Sequence, residues 1–311
     1  MLDPETFLTQ LYVMVDDFCQ SQLPPEVRPG PRPSLSRSEV MTLAVFGQWR
    51  QFASERDYDA WVRRHLQSAF PRLPDRSQLN RLVRHHRDSL ATFACYLARV
   101  LYPKPAAYEV LDGSGVATRN AKRRGGGWLF GRANIGWCNR IGWYEGFHLL
   151  VSVTPEGVIT GFGFAPASTK DQPLADTFLA LRACPDPHLP SVGAPAVHEY
   201  VADKGFGGRS NHQRWRQAYG ATVICPPQRH SKQDPHPWPK ALRRWLASLR
   251  QIVETVYAKL HQTFRLDRER PHDLTGFAAR VAAKVALQNF CIWLNRHLGR
   301  PDLAFADLTA W

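Results

Sequence analysis

Residues 147–166 read FHLLVSVTPEGVITGFGFAP, two runs of alternating apolar residues on either side of Pro155-Glu156-Gly157. A period of two belongs to an extended strand, and a Pro-x-Gly break between two such runs belongs to a turn, so the stretch predicts a β-hairpin. Upstream, YEVLDGSG (108–115) predicts a short strand ending at Asp112, and RNAKRRGGGWLFGR (119–132) predicts a basic glycine-rich loop with no regular element. Downstream, DQPLADTFLALRAC (171–184) predicts a helix, EYVADKGF (199–206) a strand, RSNHQRWRQAYG (209–220) a helix closed by Gly220, and ATVICPP (221–227) a last strand. From about Pro239 the tail predicts helices with a break near Pro271. Three strands, then helix, strand, helix, strand and terminal helices imply an α/β fold built on a mixed sheet flanked by helices.

The first hundred residues differ. SRSEVMTLAVFGQW (36–49) carries a capping-box signal, Ser36 with Glu39 three residues on. DYDAWVRRHLQ (57–67) predicts a second helix. RSQLNRLVRHHRDSLATFACYLARVL (76–101) predicts a third, starting at Ser77, with Leu79, Val83, Leu90 and Phe93 as its buried stripe. Its polar face, with Arg81 and Arg84, fits either a DNA groove or a solvated surface. YPKPAA (102–107) reads as an extended linker, which divides the chain into a small all-helical domain, 1–103, and a sheet domain, 104–311.

Composition narrows the partner. Forty Lys and Arg against 27 Asp and Glu leave a net charge of +13, which favours a polyanion, nucleic acid first and an anionic membrane surface second. The N-terminus MLDPETFLTQ lacks the pattern of a secretory leader, and no run of eighteen apolar residues appears, so a cytoplasmic, nucleoid-associated protein is expected. Six scattered cysteines without a C-x-x-C pair read as reduced thiols. His85 and His86, adjacent on a helix, are expected to diverge too far for joint metal ligation.

Three carboxylates stand out. Asp112 and Asp203 each close an apolar run before a glycine turn, and each alone is equally a turn former. Glu254, in LASLRQIVETVYAKLHQTF (246–264), flanks the stripe Leu246, Leu249, Val253, Val256 and Leu260, with Arg250, Tyr257 and His261 nearby; alone it reads as a surface partner of Arg250. Together they suit magnesium, a hard cation held by a few carboxylates and substrate phosphate oxygens. Lys204, with Arg119, Lys122, Arg123, Arg124 and Arg132 of the basic loop, supplies charge for DNA phosphates. Asp171 reads as a helix cap, Glu109 and Glu199 as pointing away from the site, and Trp128 and Trp137 as packing or stacking residues of the loop.

VLDGSG, YVADKGF and RQIVETVYAKL in that order, with the hairpin GWYEGFHLLVSVTPEGVITGFGFAPAS between the first two, resemble the catalytic domain of bacterial insertion-sequence DDE transposases over roughly residues 105–300. FAARVAAKVALQNFCIWLNRHL resembles the closing helices of those enzymes. The resemblance implies an RNase H-like fold and matches Asp112, Asp203 and Glu254 to the catalytic, metal-binding acids. It implies two Mg²⁺ ions, with Mn²⁺ as a substitute, double-stranded DNA (transposon ends and target) as substrate, a homodimer on DNA, and joining of the freed 3′-hydroxyl to a target. Arg250 joins the residues expected at DNA. Members often carry a lysine where this chain has His148, which leaves that histidine either at the active site or at the core edge. An RNase H-like nuclease or resolvase without strand transfer, or a DNA-binding protein without catalysis, fits the same residues.

Overall fold

The computed structural model describes all residues except 27–32, 103–105, 123–126, 128, 194–197 and 228–237. The linker prolines Pro103 and Pro105, the loop arginines Arg123 and Arg124, and Trp128 therefore lie outside the described residues. Contacts group the chain into two units that do not follow the division at 103/104: Met1–Leu97 with Leu260–Leu266 and His272–Trp311, and Ala98–Lys259 with Asp267–Pro271. Each is described by itself.

The helical unit begins with α1 (Pro4–Gln22), capped by Asp3, and α2 (Arg37–Phe46), which forms the capping box read from Ser36 and Glu39. Ser54 caps α3 (Glu55–His65). The long third helix of the sequence is two: α4 (Arg76–His85), capped by Asp75 rather than opened at Ser77, and α5 (Arg87–Leu101), most of which belongs to this unit. His86 has left helical geometry between them. As a result, His85 Nε2 and His86 Nε2 lie 3.7 and 3.8 Å from the same Glu26 carboxylate oxygen, so the expected divergence of the two rings does not occur. The closing helix α9 (Leu274–His297) is apolar around most of its circumference, and such a helix needs neighbours on every side; it finds them here, against α2 and α4.

The second unit is the sheet. Its strands are β1 (Glu109–Asn120), β2 (Asn134–Cys138), β3 (Gly142–Val153), β4 (Ile159–Pro166), β5 (Glu199–Ala202) and β6 (Thr222–Ile224). The order is β2-β3-β1-β5-β6, with β4 also paired to β3. β1, β2, β3 and β4 join antiparallel, while β5 and β6 add parallel strands beyond β1, which gives the expected mixed sheet. The predicted hairpin is β3–β4, its turn closed by the Thr154 N–H on the Val158 carbonyl (2.9 Å) and by Gly157 at φ +90°. Two readings change. β1 runs on through Asp112 instead of ending there, because Gly113 and Gly115 serve the close approach of neighbouring side chains and not a turn. β2, unforeseen in a segment too short and glycine-flanked to show alternation, pairs with β3 and sets Trp137 opposite Trp143, both exposed.

Helices cover the sheet. α6 (Asp171–Ala183) and α7 (Arg209–Tyr219), the latter closed by left-handed Gly220, bury Leu174, Phe178, Leu179 and Trp215 against Leu111, Tyr200, Ala202 and Val223. α8 (Lys240–Ala258) packs on β1 and β5, burying Leu246, Val253 and Val256 of the predicted stripe together with Tyr257 from its expected polar flank. Glu109, predicted to point away from Asp112, is fully buried on the α6 side, where Arg182 Nη1 (2.5 Å) and the Ser152 hydroxyl donate to it.

Candidate active site

Parallel pairing of β1 with β5 creates the site. The register joins Val110 to Val201 and Leu111 to Ala202, so the next residues, Asp112 on β1 and Asp203 just past the end of β5, stand side by side. β5 stops at Ala202, and Asp203 caps the short turn Lys204–Phe206, its Oδ1 accepting the Gly205 N–H at 2.6 Å. The turn-forming reading of Asp203 holds. α8 closes over this point: Arg250 Nη2 comes to 4.0 Å from Asp112 Oδ1, and the Tyr257 hydroxyl hydrogen is shared between the carbonyls of Asp112 (3.0 Å) and Leu149 (2.8 Å). Glu254 sits on the same helix, one turn beyond Arg250, and is exposed. Arg250, expected either to pair with Glu254 or to meet DNA, reaches Asp112 instead.

Two further side chains converge there. Asp171 does not cap α6. The cap position is Lys170, which makes no side-chain cap bond, and Asp171 Oδ1 lies 3.3 Å from His148 Nε2. The other ring nitrogen of His148 is 2.8 Å from the Thr169 carbonyl. Small residues make room: a Cβ on Gly113 would stand 2.2 Å from His148 Nε2 and 3.1 Å from Asp171 Oδ1, and one on Gly205 would stand 2.3 Å from Asp171 Oδ2 and 2.8 Å from Asp203 Oδ1. No local signal separates an aspartate that caps a helix from one that opens it and faces a site, so Asp171 was legible only as a cap.

Burial pushes Asp112 up to about 7; Arg250 opposes the shift, and Asp203 and Asp171 add to it. Asp171 is raised too, by burial first, with His148 opposing and Asp203 reinforcing. A donor set made of carboxylate oxygens fits a hard divalent cation such as Mg²⁺. The residues expected at DNA are spread more widely. Lys204, Lys122 and Arg132 are exposed. Arg119 Nη1 lies 3.5 Å from Glu145, Arg81 binds Gln78, and Arg84 pairs with Asp273 at the start of α9. A cavity of about 1170 Å³ lined by Gly207, Gly208, Arg209, His212 and Arg216 adds basic groups that the sequence reading did not single out.

Among the described residues, one trio of metal-capable side chains has all its ligand atoms within 4.8 Å of one another, Glu26 with His85 and His86, in the helical unit; Asp112, Asp203 and Glu254 are not drawn that close. No helix among the described residues is long and apolar enough to cross a membrane. The family model described as transposase DDE domain matches residues 110–290, more than half of the chain and the whole of the segment that carries Asp112, Asp203 and Glu254. No curated protein and no solved structure matches the chain.

Proposed function

The chain belongs to the transposase DDE domain family, which makes it a transposase-type nuclease acting on DNA, and on that premise we propose that it cuts the ends of a mobile element and joins the freed 3′-hydroxyl to target DNA. The observation that carries this reading is the register of β1 and β5, which sets Asp112 on β1 beside Asp203 at the end of β5, with α8 packed on both strands. Asp112, Asp203 and Glu254 would hold two Mg²⁺ ions, for which Mn²⁺ is the natural substitute. Such ions, when bound, neutralise the phosphodiester and make a water or 3′-hydroxyl more acidic.

The protein's own groups do the rest. Arg250 balances the buried charge of Asp112, and Tyr257 ties the backbone of β1 at Asp112 to β3. Glycines after the two aspartates leave room for His148 and Asp171 to stand against the backbone there. Lys204, Lys122, Arg132, Arg209 and Arg216 supply cations for the phosphates on the sheet unit, while the Arg81 face of α4 is proposed to read the element's terminal repeats. Assembly on DNA is proposed as a homodimer, one protomer per end.

A strand-transfer assay tests this reading, using a duplex that ends in the inverted repeats flanking the gene, a supercoiled target and Mg²⁺ or Mn²⁺. The expected result is metal-dependent nicking and joined products for the wild type, with cleavage and joining lost and end binding kept for Asp112→Asn, Asp203→Asn and Glu254→Gln. Nicking without joined products would reduce the protein to a nuclease or resolvase. Full activity in any one variant would remove that residue from the catalytic set.

A further inference from the structure

Asp171 and His148 sit at the same sheet edge as Asp112 and Asp203, yet the three-carboxylate reading gives them no role. Their geometry is specific. The Thr169 carbonyl can only accept, so His148 Nδ1 donates to it at 2.8 Å, and in the imidazolium form Nε2 also carries a hydrogen and donates to Asp171 Oδ1 at 3.3 Å. The imidazole is held at both nitrogens, and it holds one oxygen of the Asp171 carboxylate. The other oxygen faces the catalytic strands, since Asp171 Oδ2 and Asp203 Oδ1 both border the point a Gly205 Cβ would occupy, at 2.3 and 2.8 Å. Gly113, next to Asp112, likewise leaves space for Asp171 Oδ1 and His148 Nε2. Asp171 is also the first residue of a 13-residue helix, where the backbone N–H groups favour an anionic carboxylate.

We infer that Asp171 is a further carboxylate of the metal-binding set, presenting Oδ2 on the Asp203 side, and that His148 is the positioning residue that holds it there. The inference rests on the functional reading above and adds a ligand from α6 to those from β1, β5 and α8. A capped helix or a simple histidine–aspartate lock between β3 and α6 would give Asp171 no influence on metal binding, and that difference is measurable.

The experiment is Mn²⁺ and Mg²⁺ binding to the full chain by calorimetry without DNA, with the rise in melting temperature on adding metal as a second readout and nicking as a third. Asp171→Asn is expected to weaken Mn²⁺ binding by about tenfold or more and to shrink the metal-induced rise. Asp171→Glu, which keeps a carboxylate, should recover part of both. His148→Ala should weaken binding less, and its nicking should return at high Mn²⁺. Metal affinity and nicking like wild type in Asp171→Asn, alongside Asp112→Asn and Asp203→Asn variants that lose both, would overturn this inference and leave the functional reading standing. A wild type that binds no metal and cuts no DNA would overturn both. If Asp171→Asn does not fold, Asp171→Glu and His148→Ala decide, and unchanged Mn²⁺ affinity in both counts against it.

Discussion

Asp112 shows how a sheet makes an acid unusual. Half-buried on a central strand beside Asp203 and near Asp171, it is held up at about 7, far above an ordinary aspartate, against the opposing pull of Arg250 4.0 Å away. The metal-free folded protein therefore keeps a proton that the unfolded chain releases. The stability Asp112 contributes is full below pH about 4 and is lost as pH rises to about 7, a change of order 4 kcal/mol. Melting curves in chelator from pH 4 to 8 should show this fall, and Asp112→Asn should flatten it; a variant profile parallel to wild type would refute burial as the cause. Gly113 is a second residue-scale case. Its missing Cβ leaves 2.2 Å to His148 Nε2, so Gly113→Ala must displace the ring from Thr169 and Asp171. Denaturant unfolding should show a loss of about 1–3 kcal/mol, and nicking should fall with it.

At the scale of elements, β1 joins core to chemistry. Its start carries Glu109, where Arg182 of α6 donates to the carboxylate and also to the Val192 carbonyl (3.2 Å) and the Thr160 hydroxyl (2.8 Å), so α6, β1 and β4 are pinned around one buried ion pair. Removing one partner leaves the other charge uncompensated: Arg182→Ala should cost about 3–5 kcal/mol in chemical denaturation, whereas Glu109→Leu with Arg182→Met should stay nearer wild type. Elements with a strong local pattern were legible: the β3–β4 hairpin from its alternation, α2 from its capping box, α7 from Gly220, and the buried stripe of α8. Those that depend on a neighbour were not. β1 hides its length behind Gly113 and Gly115, whose reason is a side chain from β3, and β2 exists because β3 offers it an edge.

Across the molecule, charge and chain order divide the work. A net +13 on a DNA-cutting enzyme implies binding led by phosphate contacts, so affinity for any duplex should fall linearly in log–log plots against salt, with a slope steeper than about −4; a salt-independent affinity would contradict it. The two units are not consecutive halves of the chain. α9 follows the catalytic segment in sequence but packs with α2 and α4, because a helix apolar on most sides goes where apolar surface surrounds it. By itself the sequence determined the class of sheet and the basic character, since turn chemistry, periodicity and net charge are local or additive properties; Asp112, Asp203 and Glu254 were joined as a catalytic set only through the resemblance. Only the tertiary structure decided which acids are neighbours. Strand register is a non-local pairing that sets Asp112 beside Asp203, and the packing of α8 and α6 on the sheet turns Arg250 toward Asp112, leaves Glu254 at the surface, and brings Asp171, read from the sequence as a helix cap, together with His148 beside the site.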